Sequence, residues 1–410
     1  MLLSIAKASQ NLSTTIKVVR RLIASGQIKA TKVSGSLRIE ESDLLQYQQL
    51  QLAFDDMPVK TFVRVINTPK RDVVNWADIS QMWDNPKPSK LTFVDLFCGA
   101  GGLSKGLEEA GLQGICGLDW FEEAGQTYSR NFNHPFVNGD ITKPYIKRHF
   151  YEVVKQQLRG RILNVVAGGF PCQGFSMAGN RIVDDPRNSL YKEMLEIVAT
   201  LQPEFVICEN VKGLRSMHYG LVEKQIIADY KAIGYEMNVT TLCAADYHTP
   251  QIRERVIFIG NRIGKKNMHP APLLTPNEYV TTGQAIADLM NHPEDPAFNH
   301  VPTKHSPEMV QRILACPEGK SLYKGYSDAW KKCPWNQPSC TIKENHGGVN
   351  IHPRLPRVLT AREMARLQSF PDDFIFMGTK SKQLVQIGNA VPPLMGKAIG
   401  LAIRKSYENE

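Results

Sequence analysis

The sequence predicts an α/β fold built on a parallel sheet, preceded by a small separate module. Two observations lead to this prediction. From residue 91 onward, short apolar runs rich in β-branched residues alternate with helical segments, and each run ends in a glycine or a polar side chain. This alternation is typical of parallel sheets, whose ligands bind at the carboxyl ends of the strands. The first 50 residues instead contain a different order of shorter elements.

Length and composition limit the class of protein. A chain of 410 residues is long enough for two or three domains, and 42% hydrophobic with 22% charged residues is typical of a globular protein. The net charge of +9 favours a polyanionic partner, with simple solubility as the alternative. Eight cysteines without CxxC pairs argue against a disulfide framework and a metal site. No apolar run approaches the length of a membrane span, so an intracellular location is expected.

Residues 1–50 are predicted to form a helix, a turn, a second helix, a hairpin and a last helix. The helices are expected over residues 4–10, 14–24 and 42–50, and the hairpin strands over 28–33 and 37–39. This order resembles the excisionase-type winged helix-turn-helix DNA-binding modules. No acidic residue occurs before Glu40, whereas seven Lys and Arg residues do. DNA contact through residues such as Arg20 and Arg21 is therefore expected, and a basic structural extension is the alternative.

Residues 51–90 are interpreted as a connector, and the first predicted binding element follows it. Residues 91–110 have the pattern of a strand, a glycine turn and a helix, which is typical of a nucleotide cradle. The second strand ends in Asp119 and Trp120, whose carboxylate suits ribose hydroxyls and whose ring suits an adenine face. Asp140 follows the third strand. These strand ends, taken in order, predict a nucleoside-binding half of the sheet.

A cysteine follows the fourth strand. The apolar run 162–167 ends in Gly168 and Gly169, and Cys172 comes soon after, ahead of the glycine- and serine-containing segment 174–179. A position after the carboxyl end of a parallel strand suits a nucleophile. A buried structural cysteine is the alternative that this stretch alone leaves open.

Two further segments are expected to bring functional side chains to the same edge. The fifth strand delivers Glu209 and Asn210 at its tip. A thiolate together with a carboxyl group that can be protonated is what nucleophilic addition to an electron-poor ring requires. Alternation along an extended segment predicts that Gln251, Arg253 and Arg255 point to one side, expected to be the cleft.

Six motifs resemble those of the cytosine-5 DNA methyltransferases, and they occur in the same order. They are FCGAGG at 97–102, PCQ at 171–173, ENV at 209–211, QIRER at 251–255, RVLTARE at 357–363 and GNAV at 388–391. The resemblance covers roughly residues 91–405. It implies a Rossmann-like methyltransferase domain that depends on S-adenosylmethionine and carries an inserted target-recognition domain.

The resemblance also implies a division of the chain. Residues 91–264 correspond to the catalytic and cofactor-binding domain, 265–352 to the target-recognition domain and 353–410 to the return to the catalytic domain. Within 265–352, Cys333 and Cys340 are interpreted as packing residues.

The resemblance assigns chemical roles to the residues at the cleft. Cys172 adds to the 6-carbon of cytosine, while Glu209 binds the exocyclic amine and favours protonation at ring nitrogen 3. Asn210 orders the cysteine loop by hydrogen bonding. Arg255 holds the cytosine carbonyl, and Arg253 stabilises the loop and the thiolate. The base must leave the duplex to reach these groups.

The implied cofactor is S-adenosylmethionine, and no metal is expected. The residues expected to hold the cofactor lie at strand ends and in the last motif: Phe97, Gly99, Gly101, Gly102, Asp119, Trp120, Asp140, Ile141, Pro171, Asn389 and Val391. The residues expected to contact DNA lie in the lid after the cysteine, in the variable region and in the N-terminal module: Gln173, Met177, Thr341, His346, Arg20 and Arg21.

The favoured function is methyl transfer to the 5-carbon of a flipped cytosine in a specific duplex DNA sequence. We expect a monomeric bacterial enzyme, cytoplasmic and associated with the nucleoid, acting in restriction-modification or alone. One alternative keeps the chemistry and takes transfer RNA as substrate. Another is a transcription regulator that uses residues 1–50. Binding of this module to its own promoter is compatible with enzymatic activity.

Overall fold

The chain forms two compact units, residues 1–70 and 71–410. The computed structural model describes residues 2–11, 16, 19, 23, 30–33, 36–43, 45, 74–171, 177–178, 181–182, 189–324, 330–343 and 349–408.

The first unit contains a small antiparallel sheet. Its strands are β1 (Leu2–Ser4), β2 (Thr31–Val33) and β3 (Ser36–Glu40), and β3 lies between the other two. The helix Ile5–Asn11 follows β1 directly. The β2–β3 pair confirms the predicted hairpin, whereas Arg20, Arg21 and most of the predicted second helix lie outside the described residues. Among the residues of this unit that the structure describes, Leu3, Ala8, Val19 and Ile39 form a buried hydrophobic core.

The described strands of the second unit are β4 (Asn75–Ala77), β5 (Thr92–Leu96), β6 (Gln113–Asp119), β7 (Phe136–Asn138), β8 (Val165–Gly168), β9 (Met177–Ala178), β10 (Arg181–Ile182), β11 (Phe205–Val211), β12 (Glu236–Cys243), β13 (Glu254–Asn261) and β14 (Met268–Pro270). Seven of them form one sheet with the order β12-β13-β11-β8-β5-β6-β7. Neighbouring strands of this sheet are parallel, except that β13 runs antiparallel to both β11 and β12. Two pairs of short strands, β4 with β14 and β9 with β10, are separate from this sheet.

Helices cover both faces of the large sheet and continue into the C-terminal part. The described α-helices are Ser80–Trp83, Gly102–Glu109, Glu122–Asn131, Pro144–Leu158, Ser189–Leu201, Leu221–Ala232, Thr282–Ile286, Pro307–Ala315, Ala361–Leu367, Lys380–Asn389 and Pro393–Glu408. In the described part of the chain, four 3-10 helices lie at Lys212–Gly220, Ala244–Tyr247, Pro276–Glu278 and Asp288–Asn291.

Successive residues of the central strands pack in two different hydrophobic cores, because strand side chains alternate between the faces of a sheet. Val94 of β5 packs in one core, together with residues of the helices Pro144–Leu158 and Ser189–Leu201. Its neighbour Phe93 packs in the other core, on the opposite face, with the helix Pro393–Glu408. The sheet is therefore buried on both sides, as the nearly continuous apolar runs predict.

Chain order reverses between β5 and β8, and this reversal places the functional crevice. From β5 the chain moves outward through β6 and β7, and it then returns to β8 on the other side of β5. Loops after two such strands leave the sheet in opposite directions and open a crevice between them. The glycine turn after β5 and the segment after β8, which leads to Cys172, are the two loops at this point.

Some predicted boundaries differ from the structure for local reasons. β8 begins at Val165 instead of residue 162 because the Asn164 side chain accepts hydrogen bonds from the backbone N–H and the hydroxyl of Thr92. Residues 75–83, predicted as connector, contain β4 and a short helix, since β4 pairs in parallel with β14. β14 itself lies within the segment predicted for target recognition, so the start of that segment packs with the catalytic body.

A third core joins the variable region to the C-terminal return. Among the described residues, Ile286, Ile313 and Ile342 of the variable region share this core with Leu359 and Phe374. The helix Ala361–Leu367 begins with a capping box in which the side chains of Thr360 and Glu363 bond each other's backbone N–H groups. The packing therefore ties the variable region to the C-terminal helices.

Candidate active site

The ends of β5, β8 and β11 form one rim of the sheet, and the first residues of β13 join it. β13 enters the sheet where β11 leaves it, because the two strands are antiparallel and Arg255 is paired with Val211. An arginine at the start of β13 therefore lies beside the side chains at the tip of β11. This geometry places Glu209, Asn210 and Arg255 together.

Glu209 and Arg255 form an ion pair at this rim. Arg255 Nε lies 2.8 Å from Glu209 Oε1, and the two side chains are 13% and 12% exposed. The second carboxylate oxygen faces Gly169, where an added Cβ would lie 2.9 Å from Glu209 Oε2. Glycine at position 169 thus leaves room for the carboxylate beside the segment that leads to Cys172. The pair offers a hydrogen-bond acceptor and a cationic donor side by side.

Asn210 fixes the chain just ahead of the cysteine. Its Nδ2 donates to the carbonyl oxygen of Phe170 at 2.9 Å, and its Oδ1 accepts the backbone N–H of Val211. The side chain is buried. Pro171 follows Phe170 and is exposed, whereas Cys172 and Gln173 lie outside the described residues. Asn210 is thus bonded to the chain two residues before the predicted nucleophile.

Arg253 does not share the cleft-facing position predicted for it. The strand starts only at Glu254, so the alternation assumed from residue 251 does not hold. The buried guanidinium of Arg253 donates to the carbonyl oxygens of Ile342, Gly388 and Ala390. It therefore joins the variable region to the last motif.

Gln251 is likewise buried and acts as a bridge. Its amide nitrogen donates to the Leu367 carbonyl and to the Gln368 side chain, and its oxygen accepts the N–H of Ile342. Because both ends of the amide are bonded, Gln251 fixes the segment around Ile342 against the helix Ala361–Leu367. Of the three side chains predicted to face the cleft together, only Arg255 pairs with Glu209.

The glycine turn after β5 is held by the acidic residue at the end of β6. Asp119 Oδ2 accepts the N–H of Gly99 at 2.8 Å, and Oδ1 accepts that of Phe121 at 2.9 Å. Gly99 and Gly101 have left-handed φ angles of 53° and 92°, which favour glycine. Burial raises the pKa of Asp119, and the N–H donors oppose this rise. The carboxylate predicted to bind ribose hydroxyls therefore also shapes the turn.

The glycines of the turn have different neighbours. A Cβ added to Gly99 would meet no atom within 4 Å, so this part of the turn borders open space. A Cβ on Gly101 would lie 2.4 Å from the Phe132 ring, and one on Gly102 would lie 2.2 Å from the Val391 carbonyl oxygen. Gly101 and Gly102 are therefore required by packing within the protein, although they were predicted as cofactor contacts.

The remaining predicted cofactor residues lie at strand ends and in the last motif. Phe97 adopts a left-handed φ of 55° at the start of the turn. Trp120 is 75% exposed, so its ring is accessible for stacking with a planar group. Asp140 is exposed beside the buried Ile141, and Asn389 is exposed at the end of its helix.

A hydrogen-bonded chain below the turn was missed in the sequence. Asp95, buried in β5, accepts from Ser104, whose hydroxyl also bonds Tyr128; Tyr128 in turn bonds His134. Burial raises the pKa of Asp95 to about 7. The signal that points to such a chain is an acidic residue inside an otherwise apolar strand, since a buried carboxyl group requires partners.

The variable region contributes a groove of about 670 Å³ near the start of the 251–255 motif. Its walls include Ile252, Lys331, Asn336, Cys340 and Thr341. Thr341, one of the predicted DNA contacts, donates its hydroxyl to the carbonyl oxygen of Ile252 at 2.8 Å. For Met177 the structure describes the backbone of β9 alone, and His346 lies outside the described residues.

A family model for the C-5 cytosine-specific DNA methylases matches residues 91–405. The chain belongs to this family. Its match spans every element of the rim described above, and it begins one residue before β5. The chain is accordingly a DNA cytosine-5 methyltransferase, and S-adenosylmethionine is the methyl donor of the family.

Curated relatives of this methyltransferase are Type II methyltransferases. M1.HphI of Haemophilus parahaemolyticus is 37% identical over 339 residues, covering 78% of this chain and 88% of the relative. M.DdeI of Desulfomicrobium norvegicum is 32% identical over 386 residues, covering 78% and 90%. A solved structure of a candidate DNA modification methyltransferase encoded within an E. coli prophage superposes with a TM-score of 0.63 at 26% identity, covering 78% of this chain and all of that one.

The crevice fits S-adenosylmethionine. The open space at Gly99 leaves the turn backbone accessible, and the carboxylate of Asp119 keeps lone pairs beyond its two N–H partners. Among the described residues, no cluster of three or more potential metal ligands is present. No described helix combines the length and apolar character needed to cross a membrane.

Proposed function

We propose that this methyltransferase acts on a cytosine flipped out of a specific double-stranded DNA sequence, through a covalent bond between Cys172 and the 6-carbon of the base. The Glu209–Arg255 pair is the observation that supports this proposal most directly. It lies at the tip of β11, beside the segment of β8 that leads to Cys172, and both side chains are largely shielded from water.

The side chains of the rim divide the work of activating the base. Glu209 binds the exocyclic amine and holds a proton near ring nitrogen 3, which makes the 6-carbon a better electrophile. Arg255 donates to the cytosine carbonyl. Asn210 positions the backbone ahead of the nucleophile through Phe170. The thiolate of Cys172 is the attacking group, because a thiolate is a better nucleophile than a thiol. A thiol with the ordinary pKa of about 8.5 is mostly protonated at neutral pH.

The cofactor lies between the glycine turn and the last motif in this proposal. When bound, S-adenosylmethionine supplies the methyl group that the 5-carbon accepts. Asp119 and Trp120 hold its nucleoside part, with Asp140 and Ile141 beside them. Pro171, Asn389 and Val391 line the side toward the base. Arg253 is a positioning residue, since its hydrogen bonds to the carbonyl oxygens of Gly388 and Ala390 keep this turn in place.

Covalent trapping tests the proposal. A duplex with 5-fluorocytosine at the target position is expected to form a stable adduct with the wild-type protein in the presence of cofactor, because fluorine cannot leave as a proton does. Cys172→Ser is expected to form none while it still binds DNA. Cys243→Ser, a change at a partly buried cysteine elsewhere, is the matched control and should form the adduct. Adduct formation by Cys172→Ser would refute the assignment. Bisulfite sequencing of DNA from expressing cells identifies the target sequence.

The remaining domain assignments belong to the same proposal. Residues 91–264 and 353–410 form the catalytic part, and the variable region up to residue 352 reads the DNA sequence through residues such as Thr341. The enzyme acts in restriction-modification or as a solitary methyltransferase, and its relatives of the Type II class support the first of these.

The first unit is proposed to bind DNA as a winged helix-turn-helix module. The antiparallel β2–β3 hairpin supports a wing, and the sequence before Glu40 carries positive charge only. We expect a chain of residues 71–410 to keep methylation of duplex DNA but to lose binding to DNA from upstream of its own gene. Electrophoretic mobility shifts with both proteins measure this. Unchanged upstream binding by the shortened chain would contradict a regulatory role, and loss of methylation would mean that the module aids substrate binding.

A further inference from the structure

Two cysteines of the variable region lie in contact at the edge of the 670 Å³ groove. Cys333 Sγ and Cys340 Sγ are 3.7 Å apart. Cys333 is fully buried, whereas Cys340 is partly exposed and lines the groove. A buried thiol behind an accessible one is the arrangement in which the outer sulfur reacts first and the inner one resolves the product.

The surroundings of Cys340 favour its thiolate. The Cys340 sulfur shares a contact with the Cys333 thiol and accepts a hydrogen bond from Asn350 Nδ2 at 3.1 Å, and the positive charge of Lys331 lies nearby. These contacts lower the pKa of Cys340 below that of an ordinary thiol. By contrast, burial raises the pKa of Cys98, Cys116 and Cys208. Among the described cysteines, Cys340 therefore combines access with thiolate character.

Cys340 also belongs to the segment that holds the 250–253 stretch. Ser339 exchanges backbone hydrogen bonds with Pro250 and Ile252, and Thr341 bonds the Ile252 carbonyl. Two residues after Cys340, the Ile342 carbonyl accepts from Arg253. A disulfide needs the sulfurs at about 2.05 Å, so closing the pair moves them roughly 1.6 Å nearer, and any backbone movement that accompanies closure acts on this segment.

We propose that Cys333 and Cys340 form a dithiol site that a hydroperoxide oxidises reversibly to an intrachain disulfide, which loosens the support of Arg253 and weakens DNA binding. The Cys340 thiolate attacks the peroxide oxygen; an S–O bond forms, the O–O bond breaks and hydroxide or alkoxide leaves. The Cys333 sulfur then attacks Cys340 Sγ, and water leaves with the proton of Cys333. Two thiols and one hydroperoxide thus give a disulfide, an alcohol or water, and water. The effect on DNA binding rests on the proposed function, whereas the disulfide does not.

Oxidation of the full chain carrying Cys172→Ser tests the site without interference from the nucleophile. After treatment with hydrogen peroxide, peptide mapping is expected to show Cys333 linked to Cys340 and a mass lower by two hydrogens. Cys340→Ser in the same background should form no such link. Cys316→Ser, a change at another cysteine of the same region, should form it. Failure of the link, or over-oxidation of Cys340 without it, would overturn the proposal.

Binding to a duplex identified by bisulfite sequencing gives the second measurement. Coupling between sites commonly changes affinity by roughly five- to 150-fold. We therefore expect the oxidised protein to bind the duplex at least about fivefold more weakly than the reduced protein, and dithiothreitol to restore the affinity. An unchanged dissociation constant despite a complete disulfide would overturn the regulatory part. If the reduced protein itself fails to bind duplex DNA, the proposed function fails, and the peptide link still decides the dithiol.

Discussion

At the level of single residues, Glu209 is placed for a role that needs one bonded and one open oxygen. Oε1 is paired with Arg255, and Oε2 faces the position that glycine keeps empty at residue 169. A carboxylate with both oxygens committed would have to break a bond before it received a base. Here the arginine orients the carboxylate, and within the described part of the chain Oε2 has no hydrogen-bond partner.

Glu209→Gln is expected to lower kcat by about a hundredfold or more, since a positioned proton-transfer group commonly contributes 10²- to 10⁴-fold. The amide has the same shape but cannot hold the proton in the same way. Methylation kinetics with labelled cofactor measure the effect. Glu254→Gln is the matched control, because Glu254 pairs with Lys212 on the exposed surface. A wild-type kcat in Glu209→Gln would rule out the proton-holding role.

The positions of some of these residues follow from local sequence pattern and those of others do not, for a physical reason. Glu209 and Asn210 follow an apolar strand directly, so their position at its tip needs only local pattern. Arg253 was misplaced because its carbonyl partners, Ile342 and Gly388 among them, lie 89 and 135 positions away in the chain. Local alternation carries no information about such partners.

At the level of elements, the turn after β5 and the turn before the last helix are fitted to each other. Gly102 begins its helix against the Val391 carbonyl, and Gly106, one turn later, faces the Pro393 carbonyl. The motif predicts that Gly102 lies close to the cofactor, and no such prediction is made for Gly106. The structure shows that two backbone segments approach each other at both glycines. Sequence spacing identifies a close approach but not the partner, because glycine is selected equally by a ligand and by a carbonyl group.

Gly102→Ala is expected to destabilise the fold by roughly 1–3 kcal/mol, since a Cβ 2.2 Å from a backbone carbonyl oxygen forces the backbone to move. Urea unfolding followed by circular dichroism measures the change in the free energy of unfolding. The control is Gly213→Ala, where an added Cβ meets no atom within 4 Å. Equal effects of the two substitutions would contradict the packing explanation.

At the level of the whole molecule, the sequence predicts a parallel sheet with a functional edge, but it does not predict the direction of every strand. The apolar runs predicted the parallel sheet, and polar residues at their ends marked its functional edge. The antiparallel entry of β13 was not predicted, because strand direction depends on how the chain returns and not on the pattern of the strand itself. That entry is what brings Arg255 beside Glu209.

The stability of the whole molecule is expected to depend on Asp95. The pKa of this buried carboxyl is raised to about 7 from its ordinary value of 3.8. The folded state therefore keeps a proton that the unfolded chain releases, and the stability present at low pH is lost as pH rises toward and through about 7. Asp95→Asn stays neutral, so its melting temperature relative to wild type should rise between about pH 4 and pH 8.

Thermal unfolding across this range measures the effect, with Asp78→Asn as control. Hydrogen bonds from Ser80 lower the pKa of the exposed Asp78. The stability that this carboxylate contributes is therefore lost only as pH falls below the ordinary pKa of an aspartate. The difference between Asp78→Asn and wild type should therefore stay constant over most of the interval. A constant difference for Asp95→Asn as well would show that the folded state does not retain this proton.

The bonds of Arg253 and Gln251 have a consequence for building enzymes of new sequence specificity. The variable region is proposed to read the DNA sequence, and exchanging it between related methyltransferases keeps the packing intact only if the receiving chain retains its own anchor. In this chain the anchor is the stretch from Ser339 to Ile342, which is bonded to residues 250–253. A donor segment joined upstream of Ser339 would leave that anchor native, whereas one joined after Ile342 would replace it. The buried guanidinium of Arg253 and the buried amide of Gln251 therefore determine where a chimaera can be joined.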